Sequence, residues 1–327
     1  MAAIGYPDAF PGGGSARSEP RSRSAAAEAK RVIPPTELRR LSERSDLPGL
    51  LRLAAHLAVM AATGMLVWLM LGTWWLLVPA MALHGIVLVA CFAPFHEGSH
   101  YTAFRSRWLN DAVGWLAGAV FFNNVDFYRE FHAAHHKYTQ DPERDPERDL
   151  NPPRSRGHYL LLLSGLPYWR SRLGFLRRAA TGRFEGMPYV GAAKVPRIVL
   201  SVRLQIALYG AVAAISLVTL SPAALIWWIG PVFLAMPFLR AYLIAEHNGC
   251  SEDDNGLTNT RTTRTLWPVR LLMWNMPFHA EHHLYPSIPF HRLPEAHARV
   301  RDRLAHLGDG YIAVNREVYA ALPERTP

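Results

Sequence analysis

Two long stretches of the chain carry no charged side chain. No Asp, Glu, Lys or Arg lies between Arg52 and Glu97, and none lies between Arg203 and Arg240. A helix crosses a bilayer with about 20 apolar residues at about 1.5 Å each, so the first gap is roughly 65 Å of helix and holds two passes. With Gly72-Thr73 as its turn, the pattern predicts spans near 51–71 and 74–95. The second gap, extended by a few residues on each side, predicts spans near 198–220 and 223–243 around Ser221-Pro222. Trp74, Trp75, Trp227 and Trp228 lie beside the two turns, where interfacial aromatics collect. The expectation is an all-α integral membrane protein of four transmembrane helices in two hairpins.

The remaining segments fall around these spans. Residues 1–48 are rich in Gly, Pro, Ser, Ala and Arg and hold no apolar run. They read as a disordered tail, loosely like a transit peptide and unlike a signal peptide, which needs an apolar stretch. Residues 109–122 are too short to span and suit a helix at the interface or tucked against the bundle. Residues 158–178 mix a Leu run, aromatics and four Arg, the pattern of an interfacial helix. The repeat DPERDPER at 141–148 looks like low complexity, and two units cannot build a solenoid. The expected domain is 49–310, with 311–327 a C-terminal tail.

Composition sharpens this in two places. Mean hydropathy is near zero over 327 residues, but the average blends charge-free spans with a charged remainder. All 35 Lys and Arg fall in 1–52, 105–203 and 240–327, and neither turn carries one. The positive-inside rule then puts both termini and the long middle segment on the cytoplasmic side, in a multi-pass protein expected in a bacterial cytoplasmic membrane. The net charge of +9 is thereby topological, and no nucleic-acid partner is implied. Two cysteines, Cys91 and Cys250, exclude a disulfide scaffold.

Nine of the fifteen histidines occur in motifs: His96 and His100 in HEGSH, His132, His135 and His136 in HAAHH, His247 in AEHNG, and His279, His282 and His283 in HAEHH. On a helix, positions i, i+3 and i+4 share a face, so these spacings aim several imidazoles at one point. Imidazole ligates zinc, copper, iron and nickel. All nine fall in segments that charge bias places on one side of the membrane, which a shared metal site requires. Glu97, Glu281 and Asn248 are candidates for holding ligand rings in place. His56 and His84 lie inside spans, where helix–helix hydrogen bonding is expected, with His84 a possible tunnel residue. His158, His291, His297 and His306 read as structural or surface residues.

HEGSH also fits HExxH, in which two histidines bind zinc and Glu97 would activate water for proteolysis. A membrane zinc protease would leave six of the nine clustered histidines without a role. A transport bundle would show ionisable residues inside several spans, whereas 204–239 offers only Gln205 and small hydroxyls.

The three boxes in order, with the extensions HHKYTQDPERDPE at 135–147 and HHLYPSIPFHRLPEAH at 282–297, resemble the membrane fatty acid desaturase family over roughly residues 50–300. The resemblance implies a cytoplasmic helical cap with two iron ions held by His96, His100, His132, His135, His136, His247, His279, His282 and His283. It further implies O2 as co-substrate and a fatty acid or lipid acyl chain as substrate. The first box is short, and Leu243 replaces the Asn that the family's acyl-CoA branch places one turn before the isolated His, which points away from an acyl-CoA. His279 replaces the Gln of front-end enzymes, and the chain has no HPGG haem motif. The resemblance thus implies a separate electron donor, a ferredoxin or a cytochrome b5 with its reductase. Hydroxylases and carotenoid ketolases share similar boxes and remain the alternative outcome of the same chemistry.

Overall fold

The computed structural model describes residues 28–148 and 152–324. Four helices are long and apolar enough to cross a membrane: Asp46–Leu69, Trp74–Ser99, Ala192–Val218 and Leu225–His247. Their outward faces carry exposed Leu57, Met65, Trp68, Leu200, Leu217 and Phe233. A soluble protein rarely exposes so much contiguous apolar surface, and lipid is the solvent that stabilises it. The chain is a membrane protein.

In chain order the described helices are α1 (Pro35–Leu41), α2 (Asp46–Leu69), α3 (Trp74–Val89), α4 (Phe92–Ser99), α5 (Arg107–Val120), α6 (Val125–Tyr138), α7 (Arg156–Leu163), α8 (Leu166–Ala180), α9 (Val195–Val218), α10 (Gly230–His247), α11 (Trp267–Leu272), α12 (His279–Leu284), α13 (Leu293–Val300) and α14 (Tyr311–Ala321). Two three-residue strands, β1 (Thr262–Arg264) and β2 (Leu307–Asp309), pair in parallel with Thr262 opposite Leu307. They are the one departure from an all-helical pattern among the described residues.

The most extensive helix contact joins α3 to α10, not α9 to its sequence neighbour. It depends on Gly85, where an added Cβ would lie 1.9 Å from the Pro231 carbonyl oxygen and 2.9 Å from the Ala235 methyl. Such small-residue approaches are how membrane helices pack without a hydrophobic drive between them. α4 packs on α5 in the same way, with a Cβ on Gly98 meeting the Asn110 carbonyl at 2.9 Å. α5 is therefore tucked against the bundle and carries His96's helix on its back.

Several polar groups inside the bundle bridge neighbouring helices. His56 Nε2 lies 3.0 Å from the Val87 carbonyl, and His84 bridges Thr63 Oγ1 at 2.8 Å and the Trp227 carbonyl at 3.2 Å. Both ring nitrogens of His84 are thus occupied by helix–helix contacts, as expected of an ionisable ring within a span, and none is left for a tunnel. A π turn at Leu225–Ile229 precedes α10. There Trp227 and Trp228 donate their indole N–H groups inward to the Gly64 and Val120 carbonyls at 3.0 and 2.7 Å. Only Trp74 and Trp75 are exposed as the interfacial pattern predicts. Gln205 on α9 is buried and bonds Asn123 and Asn124 at the start of α6, so the lone amide in that span is a tether.

Three boundaries differ from the sequence expectation. The sequence reads as a disordered tail over 1–48; residues 1–27 lie outside the described residues, and 28–48 is folded. Ala29, Ile33 and Leu41 are buried against Tyr285, Leu293, Ala296 and Val300, and the Ile33 amide donates to the Tyr285 hydroxyl. The segment has too few apolar residues for a core of its own and completes one supplied by the far end of the chain. Residues 311–321 are likewise helical, with Val314 and Val318 buried and Asn315 accepting from the Tyr159 hydroxyl at 2.8 Å. The interfacial segment 158–178 is two helices, α7 and α8, broken at Gly165 with φ 75°.

The Gly85 contact gives a direct test. Overpacking a tight helix contact costs typically about 1–3 kcal/mol. Gly85→Val should therefore lower the thermal midpoint of the detergent-purified protein clearly. Gly72→Ala, at a turn with open space around it, should change stability by no more than about 0.5 kcal/mol.

Candidate metal centre

Four elements deliver the nine clustered histidines. His96 sits on α4, directly beyond the α3 span, and His100 caps that helix. His132, His135 and His136 lie on α6, whose start is fixed by the Asn124 side chain accepting from the Phe127 amide. His247 ends α10, and α12 carries His279, His282 and His283. α12 is held by β1, because the Ala280 amide donates to Thr262 Oγ1 at 3.2 Å.

The rings converge in two adjacent groups. His96, His100, His132, His136 and His282 form one whose ligand atoms all lie within 4.8 Å of one another, and His135, His247 and His283 form the second. His279 joins the second through His247, with Nε2 atoms 3.1 Å apart. The stacked rings of His136 and His283, 4.1 Å between centroids, link the groups. All nine predicted residues are thus brought together, while His158, His291, His297 and His306 are in neither group.

The Nε2 atom of His136 lies 3.1 Å from that of His132 and 3.0 Å from that of His282. His135 and His247 face each other the same way at 3.2 Å. Neutral imidazole has one proton for two nitrogens, so a chain of facing Nε2 atoms cannot be satisfied by mutual hydrogen bonds at every contact. A first-row metal at about 2.1 Å from each nitrogen would place two right-angle ligands about 3.0 Å apart. Further buried nitrogens, His96 Nε2, His100 Nε2 and His283 Nε2, have no hydrogen-bond partner. The donor set fits metal ions.

Electrostatics favour the metal-binding form of most rings. Burial, reinforced by the neighbouring imidazoles, pushes His132, His136, His279, His282 and His283 well below the ordinary histidine range and His100 to about 3. His135 is the exception. Burial opposes its charge, but Glu147 and Asp145 outweigh that and raise it to about 9.

Carboxylates stand behind several rings. Asp145 meets His135 Nδ1 at 2.8 Å, Glu246 Oε1 faces His279 Nδ1 at 3.4 Å, and Glu97 Oε1 faces His96 Nδ1 at 3.5 Å. Thr139 Oγ1 lies 3.2 Å from His283 Nδ1. Such partners fix ring orientation and tautomer. Of the three carboxylate and amide candidates next to the boxes, Glu97 is the one that lies against a ring of the groups. Its other oxygen accepts from Thr102 Oγ1 at 2.9 Å and from the Phe290 amide at 3.2 Å. Glu281 instead points away, to Thr262 and His297, because alternate positions of α12 face opposite sides. Asn248 turns back to the Ile244 carbonyl at 2.8 Å and ends α10.

Sequence reasoning missed Asp145, Glu147 and Glu246. The signal lay in DPERDPER: Asp141 and Asp145 each cap their own turn, accepting from the amides of Glu143 and Glu147. The repeat is therefore two consecutive Asp-capped turns. The second delivers Asp145 to His135 and brings Glu147 Oε2 within 3.3 Å of the same ring. A large cavity, about 1060 Å³, lies between α7, α10, α11 and α14, and none of the nine histidines lines it.

Fold and site together define a membrane protein built around a histidine-rich metal-type centre, and comparison with known proteins makes the class specific. A profile described as fatty acid desaturase matches residues 72–315, so the chain belongs to the fatty acid desaturase family. It is 26% identical over 240 residues to a dihydrorhizobitoxine desaturase of Bradyrhizobium elkanii, covering 68% of this chain and 67% of that one. It is 33% identical over 89 residues to an sn-1 oleoyl-lipid 12-desaturase of a Picosynechococcus species, covering 27% and 26%. A desaturase-type oxidoreductase is the class these findings support.

The buried imidazoles make a pH prediction for protein stripped of metal. A histidine lowered in the folded state is charged only after unfolding, so stability falls as pH drops below the unfolded value of about 6.5. Each such group contributes a slope of up to about 1.4 kcal/mol per pH unit. His135, raised to about 9, acts oppositely: its contribution is full below about 6.5 and is lost as pH rises through 9. The thermal midpoint should drop steeply between pH 6.5 and 5.5 and less steeply near 9. A flat profile on the acid side would show that these rings are not held neutral.

Proposed function

We propose that the chain is an oxygen-dependent desaturase that introduces a double bond into the acyl chain of a fatty acid or lipid at a di-iron centre. The observation that carries this is the convergence of nine histidines into two adjoining groups at the ends of α3–α4 and α10. His96, His100, His132, His136 and His282 would hold one iron. His135, His247, His279 and His283 would hold the other, with Glu147 within reach of it. When bound, the pair supplies the activation of O2 needed to remove two hydrogens from adjacent saturated carbons.

The chain's own residues supply orientation and exclusion of water. Asp145, Glu246 and Glu97 set three rings from behind. Phe92, Phe95, Phe121 and Tyr128 pack edge-on and tilted against one another beside His96 and His132, a dry aromatic wall where a reactive oxidant is shielded from bulk water. Glu97 is fully buried behind a ring already grouped with four others, a position without the open water site of a zinc protease.

The distribution of Lys and Arg supports the cap and both termini being cytoplasmic. On that side a soluble ferredoxin or a cytochrome b5 with its reductase can deliver the two electrons.

Expression in a host of defined lipid profile, with a competent electron donor, should yield acyl species that have lost two hydrogens. Gain of one oxygen instead would identify a hydroxylase. Unchanged lipids and acids would overturn the oxidative reading. Purified protein should carry about two irons per chain, measured by metal analysis. His136→Ala and His283→Ala should lose iron and product, whereas His306→Ala, outside both groups, should retain both. Equal tolerance at all three positions would refute the ligand assignment.

A further inference from the structure

The cleft of about 1060 Å³ between α7, α10, α11 and α14 is a space that the metal centre does not use. Its volume is at the upper end of small-molecule sites, which run to roughly 1,000 Å³. One wall is the face of α10 that presents Phe238, Ala241 and Tyr242. α10 belongs to a membrane-spanning helix that ends at His247. At about 1.5 Å per residue, Phe238 lies about 13 Å along that helix from its cap end. Half of a hydrocarbon core is about 15 Å thick, so the cleft runs through most of one leaflet.

The lining is apolar at its edges as well as inside. Leu160, Leu266 and Ile312 line the cleft and are 54%, 75% and 73% exposed. Exposed apolar side chains at the end of a span belong in lipid, so the cleft opens sideways to the bilayer. Within it, polar side chains direct their hydrogen bonds at protein groups. Asn315 donates to the Ala241 and Tyr311 carbonyls at 2.9 and 2.7 Å and accepts from the Tyr159 hydroxyl at 2.8 Å. These amide and phenol groups ask nothing of an occupant, and they turn hydrocarbon and ring faces to the space. Charge is confined to three lining residues. Arg264 of β1 pairs with Asp309 of β2, and the exposed Arg316 stands one helical turn from Ile312 on the same face of α14.

We propose that this cleft is a binding site for a bilayer phospholipid, with one acyl chain lying along α10 and the phosphate held by Arg316. The cleft has the polarity of such a lipid, with apolar walls at the depth of a span and a guanidinium on the cap helix α14. The planar N–H fork of arginine matches a phosphate in two-point contact. The outward face of α10, where Phe233 and Phe238 are exposed, is continuous with the cleft wall, so a chain enters from the surrounding leaflet without crossing water. Because none of the nine histidines lines the cleft, this lipid is a partner of the fold and not the reacting chain. It fills the space between α10 and α14 and ties the cap to the bilayer.

Photolabelling tests this. The full chain in phosphatidylcholine nanodiscs receives phosphatidylglycerol with a diazirine midway along one acyl chain, and adducts are mapped by mass spectrometry after irradiation. Adducts should form on Val269 and Tyr311, partly buried residues of the cleft, as well as on the lipid-facing Leu217 of α9. Ala241→Phe, which fills the cleft, should lose most of the Val269 and Tyr311 adducts and keep those on Leu217. A diacylglycerol with the same labelled chain should mark the cleft at least about threefold less than the phospholipid, the effect of one partly exposed charge pair. Arg316→Gln should remove that difference. Adducts confined to outward residues such as Leu217 would overturn the proposal, as would equal marking of the wild-type cleft by the two probes or undiminished marking in Ala241→Phe. If Ala241→Phe does not fold, the two probes on the wild type decide.

Discussion

The structure depends on the close approach of α3 and α10. Two helices of ordinary side chains cross at 8–10 Å, and a Cβ at Gly85 would already collide with the Pro231 backbone. Because these helices continue into His96 and terminate at His247, their separation sets how far apart the two histidine groups can lie. α5 then backs α4, and Asn123 and Asn124 lock α6 to α9, so each histidine-bearing element has its own brace. A site that needs several rings within a few tenths of an ångström is thereby placed on helices whose positions are fixed by backbone contact and not by flexible side chains.

The site also shows how an apolar bundle accommodates charge. Most of its imidazoles are kept neutral by burial and by one another, which suits metal binding. One, His135, is treated differently, with Asp145 and Glu147 arranged around it. Glu147, 3.3 Å from the His135 ring, also lines a small cavity together with Arg172 of α8 and Arg240 of α10.

Much of this was legible in the sequence, for identifiable reasons. Charge-free gaps report spans directly, since lipid permits few alternatives, and all four were placed within a few residues of their helices. Helical spacing in HEGSH, HAAHH and HAEHH announced the histidines, and all nine meet. Where reading failed, the information was long-range or sat in turns. Glu281 and Asn248 were chosen by adjacency to ligand histidines, but neighbours on a helix point in different directions. Asp145 and Glu246 reach rings on α6 and α12 only through tertiary packing. Residues 29–41 and 311–321 looked like tails because their apolar positions are meaningful only against partners more than seventy residues away, such as Tyr285 and Ala241.

The packing of Ile33 and Leu41 against Leu293 and Val300 has a consequence for biogenesis. A segment near the start of the described residues is seated on one near their end. The bond from the Ile33 amide to the Tyr285 hydroxyl closes a loop of 252 residues, and all four spans lie inside it. A chain that inserts into the membrane as it is made cannot complete this layer until the fourth helix is in place and α12 has emerged. The strap at residues 29–41 can therefore join this layer only after those later elements, although it precedes them in the chain.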